Sequence, residues 1–192
     1  MLLASAAPAA AQKTILVLGD SLSAAYGIAQ ARGWVALLGE QLKRERLDYI
    51  VANASVSGDT TAGGRSRLHA ALERHRPAIV ILELGGNDGL RGLPIAQMKA
   101  NLDAMIEQSR KAGARVVLVG MRIPPNYGPD YTEAFAAVFG ELAKTRDTAL
   151  VPFLLIDLDR PDLFQADRIH PTEAAQPLML ERVWTALKPL LK

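Results

Sequence analysis

The feature that most constrains this chain's fold is a short apolar run that stops abruptly. Ile15, Leu16, Val17 and Leu18 follow Lys13 and Thr14, and Gly19, Asp20, Ser21, Leu22 and Ser23 come directly after. A strand with one solvated face alternates apolar and polar residues. An unbroken run needs apolar cover on both faces, as in a parallel sheet packed between helices. In such sheets ligands bind outside the carboxyl ends of the strands. Ser21 therefore stands where chemistry is placed, or else it is simply a helix N-cap, a position serine also favours.

The same pattern recurs along the chain. Trp34, Leu37, Leu38 and Leu42 repeat at helical spacing and predict a helix over 34–46. Residues 48–52 predict a second strand, followed by a loop of small polar residues over 53–61 that contains Gly58. A helix is expected over 61–74, ended by His75, Arg76 and Pro77. The run 78–84 is the most strand-like in the chain, and Gly85, Gly86, Asn87, Asp88 and Gly89 break it. A helix over 95–111 carries Met98, Leu102, Met105 and Ile106 in register and stops at Gly113. A strand over 115–119, a Pro/Gly-rich loop over 120–131, a helix over 135–144 and a short strand at 149–150 follow. An irregular segment over 154–167 leads to a closing helix over 172–187.

Strands alternating with helices predict an α/β fold of three layers, α/β/α, around a parallel sheet. Right-handed crossovers leave few topologies, and a flavodoxin-like five-stranded sheet of order 2-1-3-4-5 is expected. The 192 residues suffice for one ample core, so residues 12–192 are read as one domain.

Composition removes several function classes. The chain has no cysteine, which excludes disulfides, thiolate zinc sites and thiol nucleophiles. The net charge is only +2, with basic residues interleaved among acidic ones, as in Lys43, Arg44, Glu45 and Arg46; nucleic acid is not an expected partner. Asp157, Asp159 and Asp162 lack the spacing and the glycine of a calcium loop, and neither a metal nor a cofactor is expected. No run reaches the roughly 20 apolar residues of a membrane span. Residues 1–11 are apolar and end in Ala9, Ala10 and Ala11 before Gln12, which reads as the remnant of a signal peptide and points to a periplasmic or secreted protein.

Four predicted strand ends hold chemistry-bearing groups. Ser21 follows the first, Gly58 the second and Asn87 the third, while Asp167 and His170 lie near the last, ahead of Pro171 and Thr172. A serine hydroxyl becomes a nucleophile when a base removes its proton, and histidine suits that work near neutral pH. The histidine needs a third group to fix its tautomer, and an acid three residues away is within reach. Acyl transfer also needs donors for an oxyanion, which the N–H groups of Ser21 and Gly58 and the amide of Asn87 could supply. Each signal alone is weak, and Asn87 has a competing reading as a turn residue.

Together, in this order, these blocks resemble the SGNH hydrolases, the GDSL esterases and lipases. Gly19–Ser23, Gly58, Gly85–Gly89 and Asp167–His170 carry the resemblance over nearly the whole chain. Residues 19–27, 85–92 and 121–128 are most similar to the bacterial thioesterase I, lysophospholipase and arylesterase group. The resemblance implies Ser21 as nucleophile, His170 as base and Asp167 as its partner, with Gly58 and Asn87 completing the oxyanion hole. It implies hydrolysis of aryl and acyl esters, acyl thioesters and lysophospholipids through an acyl-enzyme, by a monomer without a cofactor. The Gly-x-Ser-x-Gly elbow of other hydrolases is absent, since Ser23 stands at its last position. Leu22, Tyr26, Leu90, Ile123, Pro124 and Tyr127 lie beside the catalytic loops, where they pack or line an acyl-chain groove. His69 and His75 are read as surface histidines. Within the wider family a carbohydrate O-deacetylase is the rival reading. Outside it, a receiver or flavin-binding module on the same sheet order is the alternative, although a receiver's Asp after the third strand and Lys after the fifth are missing.

Overall fold

The computed structural model describes residues 12–155 and 160–191, so the alanine-rich segment 1–11 lies outside it, as do Asp157 and Asp159. Five parallel strands form one sheet in the order β2-β1-β3-β4-β5, as expected. They are β1 (Lys13–Gly19), β2 (Tyr49–Asn53), β3 (Ile79–Glu83), β4 (Arg115–Val119) and β5 (Ala149–Val151). Helices α1 (Trp34–Arg44), α2 (Thr61–His75), α3 (Gly86–Leu90), α4 (Ile95–Lys111), α5 (Pro129–Thr145) and α6 (Gln176–Leu187) connect and follow them.

The unbroken apolar strands are explained by what covers them. Successive strand side chains point to opposite faces. Ile15, Val17, Ile79, Ile81, Val117 and Val119 face one side, against Trp34 and Leu38 of α1 and Met179 and Val183 of α6. Leu16, Leu18, Val80, Leu82, Val116 and Leu118 face the other, against Leu68 of α2, Met105 of α4 and Phe135 and Phe139 of α5. β1 and β3 lie at the centre, and nearly every side chain in them is buried. Each fully buried aliphatic side chain contributes roughly 1.5–3 kcal/mol of transfer free energy.

Element ends shift by one or two residues in several places, and three departures from the expectation are larger. α5 begins at Pro129, six residues before Phe135: a proline at the first helical position is already set at the helical φ and has no N–H to lose. The loop therefore ends at Gly128. Residues 86–90, read as a possible turn, form the short helix α3, entered through Gly85 at φ +120°, a conformation that side-chain-bearing residues avoid. The closing helix starts at Gln176 after one 3₁₀ turn over Glu173–Ala175, instead of at Thr172.

The order 2-1-3 makes the chain leave β1 toward one edge and β3 toward the other. This opens a crevice at their carboxyl ends. Gly19 of β1 pairs with Glu83 of β3 there. A Cβ at Gly19 would fall 2.6 Å from Glu83 Oε2 and 2.7 Å from Ser23 Oγ. Gly19→Ala should therefore wedge apart a buried hydrogen bond and cost about 1–3 kcal/mol, typical of overpacking. Thermal denaturation checks this, and an unchanged Tm would mean that the loop yields freely.

Candidate active site

The polar groups of the crevice come from three strand-end segments and the turn before α6. Asp20 and Ser21 follow β1, and Asn87 lies in the first turn of α3 after β3. Asp167 and His170 sit in a turn whose middle residue, Arg168, has φ +57°. That left-handed residue tightens the turn enough for Asp167 Oδ1 to accept the backbone N–H groups of Ile169 at 2.9 Å and His170 at 3.0 Å. Asp167 Oδ2 lies 2.7 Å from His170 Nδ1. His170 Nε2 lies 2.9 Å from Ser21 Oγ, across 149 residues of sequence. The turn is closed by a bridge between Phe164 and Pro171, and Gln165 Nε2 donates to the carbonyls of Tyr26 and Pro171.

Asp167 is held well below the usual carboxylate range, at about 2. The backbone N–H of His170 contributes most, then the imidazole and the N–H of Ile169. An ionised Asp167 fixes the proton of His170 on Nδ1 and leaves Nε2 as an acceptor toward Ser21, a tautomer assigned from the hydrogen-bond pattern. The His170 side chain is 19% exposed, and the Tyr26 ring packs on it with centroids 4.4 Å apart.

The relay opens into a cavity of about 670 Å³, lined by Asp20, Ser21, Asn87 and His170, by Arg122 and Arg168, and otherwise mostly by apolar side chains. Leu22, Leu90, Ile123 and Pro124 line it, as do Phe153 and Phe164, which the sequence did not single out. Tyr26 and Tyr127 do not. Tyr26 covers the histidine, and the Tyr127 hydroxyl donates to the carbonyl of Leu90 at 2.7 Å, holding the β4–α5 loop against α3. His69 pairs with Glu73 on the exposed face of α2, away from the crevice.

The three groups expected at an oxyanion differ in their state. The N–H groups of Ser21 and Gly58 make no hydrogen bond among the described residues. Gly58 adopts φ +79° and is exposed, and its carbonyl accepts from Arg91 at 2.8 Å. Asn87 Nδ2, by contrast, donates both of its hydrogens within the protein, to Asp20 Oδ2 at 3.0 Å and to the carbonyl of Asp59 at 2.9 Å.

A supporting layer escaped the sequence reading. Asp88 accepts from the N–H of Thr61 at 2.8 Å and from its hydroxyl at 2.5 Å, tying α3 to the start of α2. Arg67 joins three segments, donating to Asp59 Oδ2 at 2.7 Å, to the carbonyl of Gly19 at 3.2 Å and to the carbonyl of Ala54. Glu83 is fully buried at the end of β3. A charged residue in an otherwise apolar strand was the one available signal for it.

Comparison with known proteins supplies the lineage of this arrangement. The family described as GDSL-like Lipase/Acylhydrolase matches residues 17–177. Esterase TesA of Pseudomonas aeruginosa is 55% identical over 183 residues, covering 95% of this chain and 91% of that protein. Thioesterase 1/protease 1/lysophospholipase L1 of Escherichia coli K12 is 42% identical over 184 residues, covering 95% and 87%. A crystal structure of TesA superposes with a TM-score of 0.91 at 54% identity, over 93% of this chain and all of that one. A family match over residues 17–177, joined to a relative of 55% identity and a close superposition over 93% of the chain, leaves one assignment: the chain belongs to the GDSL-like lipase/acylhydrolase family.

Proposed function

We propose that the protein hydrolyses carboxylic esters and thioesters through an acyl-enzyme on Ser21. The observation that carries this reading is the continuous relay from Asp167 through His170 to Ser21, 2.7 Å and 2.9 Å, beside a mostly apolar cavity that Ser21 and His170 help to line. His170 Nε2 takes the Ser21 proton as Oγ attacks the acyl carbon, and Asp167 steadies the imidazolium that forms. The same proton then passes to the leaving alcohol or thiol. Water, deprotonated by His170, then attacks the acyl carbon; the bond to Ser21 Oγ breaks, Oγ takes the proton back from His170, and the carboxylic acid leaves.

Charge that develops on the carbonyl oxygen calls for donors. The N–H groups of Ser21 and Gly58 carry no competing bond among the described residues, and the Asn87 amide would join them by sharing or yielding one of its two internal partners. The apolar lining suits an acyl chain. Aryl esters, acyl thioesters and lysophospholipids are the proposed substrates, in keeping with what the relatives' names say of those proteins.

We further place the catalytic unit at residues 12–192, acting as a monomer exported to the periplasm. The Ala9–Ala11 segment supports export, and N-terminal sequencing of the mature protein should find Gln12 first. Among the described residues no helix is long and apolar enough to cross a membrane.

The functional test is a panel of p-nitrophenyl esters and acyl-CoA thioesters of graded chain length, with acetylated sugars as the competing substrate. Turnover of the first two sets is expected. Turnover of acetylated sugars alone would replace this reading with the deacetylase one.

A further inference from the structure

Beneath the serine loop lie two carboxyl groups that the acyl-transfer steps do not themselves use. Asp20 is 2% exposed and Glu83 is fully buried. Glu83 Oε2 accepts the Ser23 hydroxyl at 2.5 Å and the backbone N–H of Asp20 at 3.3 Å. Asp20 Oδ1 accepts the N–H of Leu22 at 3.1 Å, and its Oδ2 accepts the Asn87 amide. Glu83 Oε1 is buried and receives no donor from any described residue.

Among the described residues no cation pairs with both acids. The Arg67 guanidinium lies near but donates to Asp59 and to the carbonyls of Gly19 and Ala54. His170 acts on Asp20 only through space. Two ionised carboxylates in a dry site repel each other and lose their hydration, so such pairs keep one proton. Placed on Glu83 Oε1, that proton turns the orphaned acceptor into a donor, and Asp20, whose backbone N–H already binds Glu83 Oε2, is the acid beside it.

We infer that Glu83 is held protonated and donates to Asp20, and that the resulting single charge on Asp20 positions the Asn87 amide beside Ser21. Burial pushes Asp20 up to about 6 and raises Glu83 well above the carboxylate range, the charge of Asp20 adding to the latter. Glu83 is thus a positioning residue, acting through Asp20 and Asn87. The pair carries one negative charge near the oxyanion instead of two. It also gives Asn87 an acceptor whose charge is partly spent on Glu83, from which an N–H can turn to the oxyanion.

The role of Asn87 here rests on the proposed hydrolase chemistry; the shared proton does not. Glu83→Gln is the informative variant. The glutamine amide can donate to Asp20 and its oxygen can accept from Ser23 and from the Asp20 N–H, so the bonds persist with no proton to lose. Infrared spectroscopy of the unreacted protein at neutral pH should show a protonated-carboxyl C=O stretch that shifts in D₂O and is missing from Glu83→Gln.

Stability should report the same proton. A glutamate whose folded pKa is raised favours folding below its unfolded value, 4.5, and loses that advantage as pH rises toward the folded value. The Tm of Glu83→Gln should therefore gain on that of the parent as pH rises above 4.5. Kinetically, Glu83→Gln should keep kcat within about tenfold, whereas Glu83→Ala should lose roughly 10²-fold in kcat with little change in KM, as when an oxyanion donor is misplaced.

A carboxyl band that survives in Glu83→Gln, or a Tm gap independent of pH, overturns the shared proton. A folded Glu83→Ala with normal kcat, or a Glu83→Gln as impaired as a lost donor, overturns the positioning role. Should the parent protein hydrolyse no ester or thioester, the hydrolase reading fails while the infrared band still decides the proton.

Discussion

Ser21→Ala should lower kcat on ester substrates by roughly 10⁶-fold, His170→Ala by a comparable factor, and the double variant no further. The three changes converge because one relay performs one act. Without the base, the hydroxyl is a weak nucleophile, and without the hydroxyl, the base has no acyl acceptor to activate. Asp167→Asn should cost about 10⁴-fold, since Asn can donate to Nδ1 and so favours the tautomer with its proton on Nε2, facing Ser21 Oγ the wrong way. Asp167 also accepts two backbone N–H groups, so its replacement loosens the turn that carries His170. Comparing Asp167→Asn with Asp167→Ala by steady-state kinetics and Tm separates the two losses. His69→Ala and His75→Ala should leave turnover intact, because His69 pairs with Glu73 on α2 and His75 ends that helix. Loss of activity in either, with His170→Ala still active, would reassign the base.

Asn87 carries the second large effect. Asn87→Ala and Asn87→Gly should each lose roughly 10²–10³-fold in kcat, about 2.7–4 kcal/mol, with KM little changed. Asn87→Asp should lose at least as much and also lower Tm. The reason lies in the resting hydrogen bonds: the amide donates to the Asp20 carboxylate and to the Asp59 carbonyl. An aspartate there would set a third acid beside the Asp20–Glu83 pair and face the Asp59 oxygen with another acceptor. As a mere turn residue Asn87 would tolerate all three changes. A folded Asn87→Gly with near-normal kcat would remove the amide from the reaction.

What was legible in the chain follows from what local pattern can encode. The run from Ile15 to Leu18 implied cover on both sheet faces, and the alternation of such runs with helices implied a parallel sheet; right-handed crossovers left few orders, of which the expected one, 2-1-3-4-5, is observed. The start of α5 was hidden because Pro124, Pro125, Gly128 and Pro129 read as a loop, whereas Pro129 in fact opens a helix. The relay was legible because the tight turn from Asp167 to His170 is local and its distant partner, Ser21, stands just past a strand end. The pair formed by Asp20 and Glu83 was not, since the contact exists only through the β1–β3 register, which sets Gly19 opposite Glu83. Nor could spacing reveal that both hydrogens of the Asn87 amide are engaged within the protein. For the same reason the sequence could not separate Tyr26 and Tyr127 from the residues that line the cavity.

Covalent labelling distinguishes Ser21 from every other serine as the nucleophile. An organophosphonate such as a p-nitrophenyl alkylphosphonate reacts with an activated serine and stays attached, so intact-mass measurement followed by peptide mapping locates the nucleophile. One adduct per chain is expected, on the peptide containing Ser21, formed in the parent protein, slowed in Asn87→Gly and absent in Ser21→Ala and His170→Ala. An adduct on Ser55, Ser57 or Ser66, or labelling of Ser21 at full rate in His170→Ala, would contradict it.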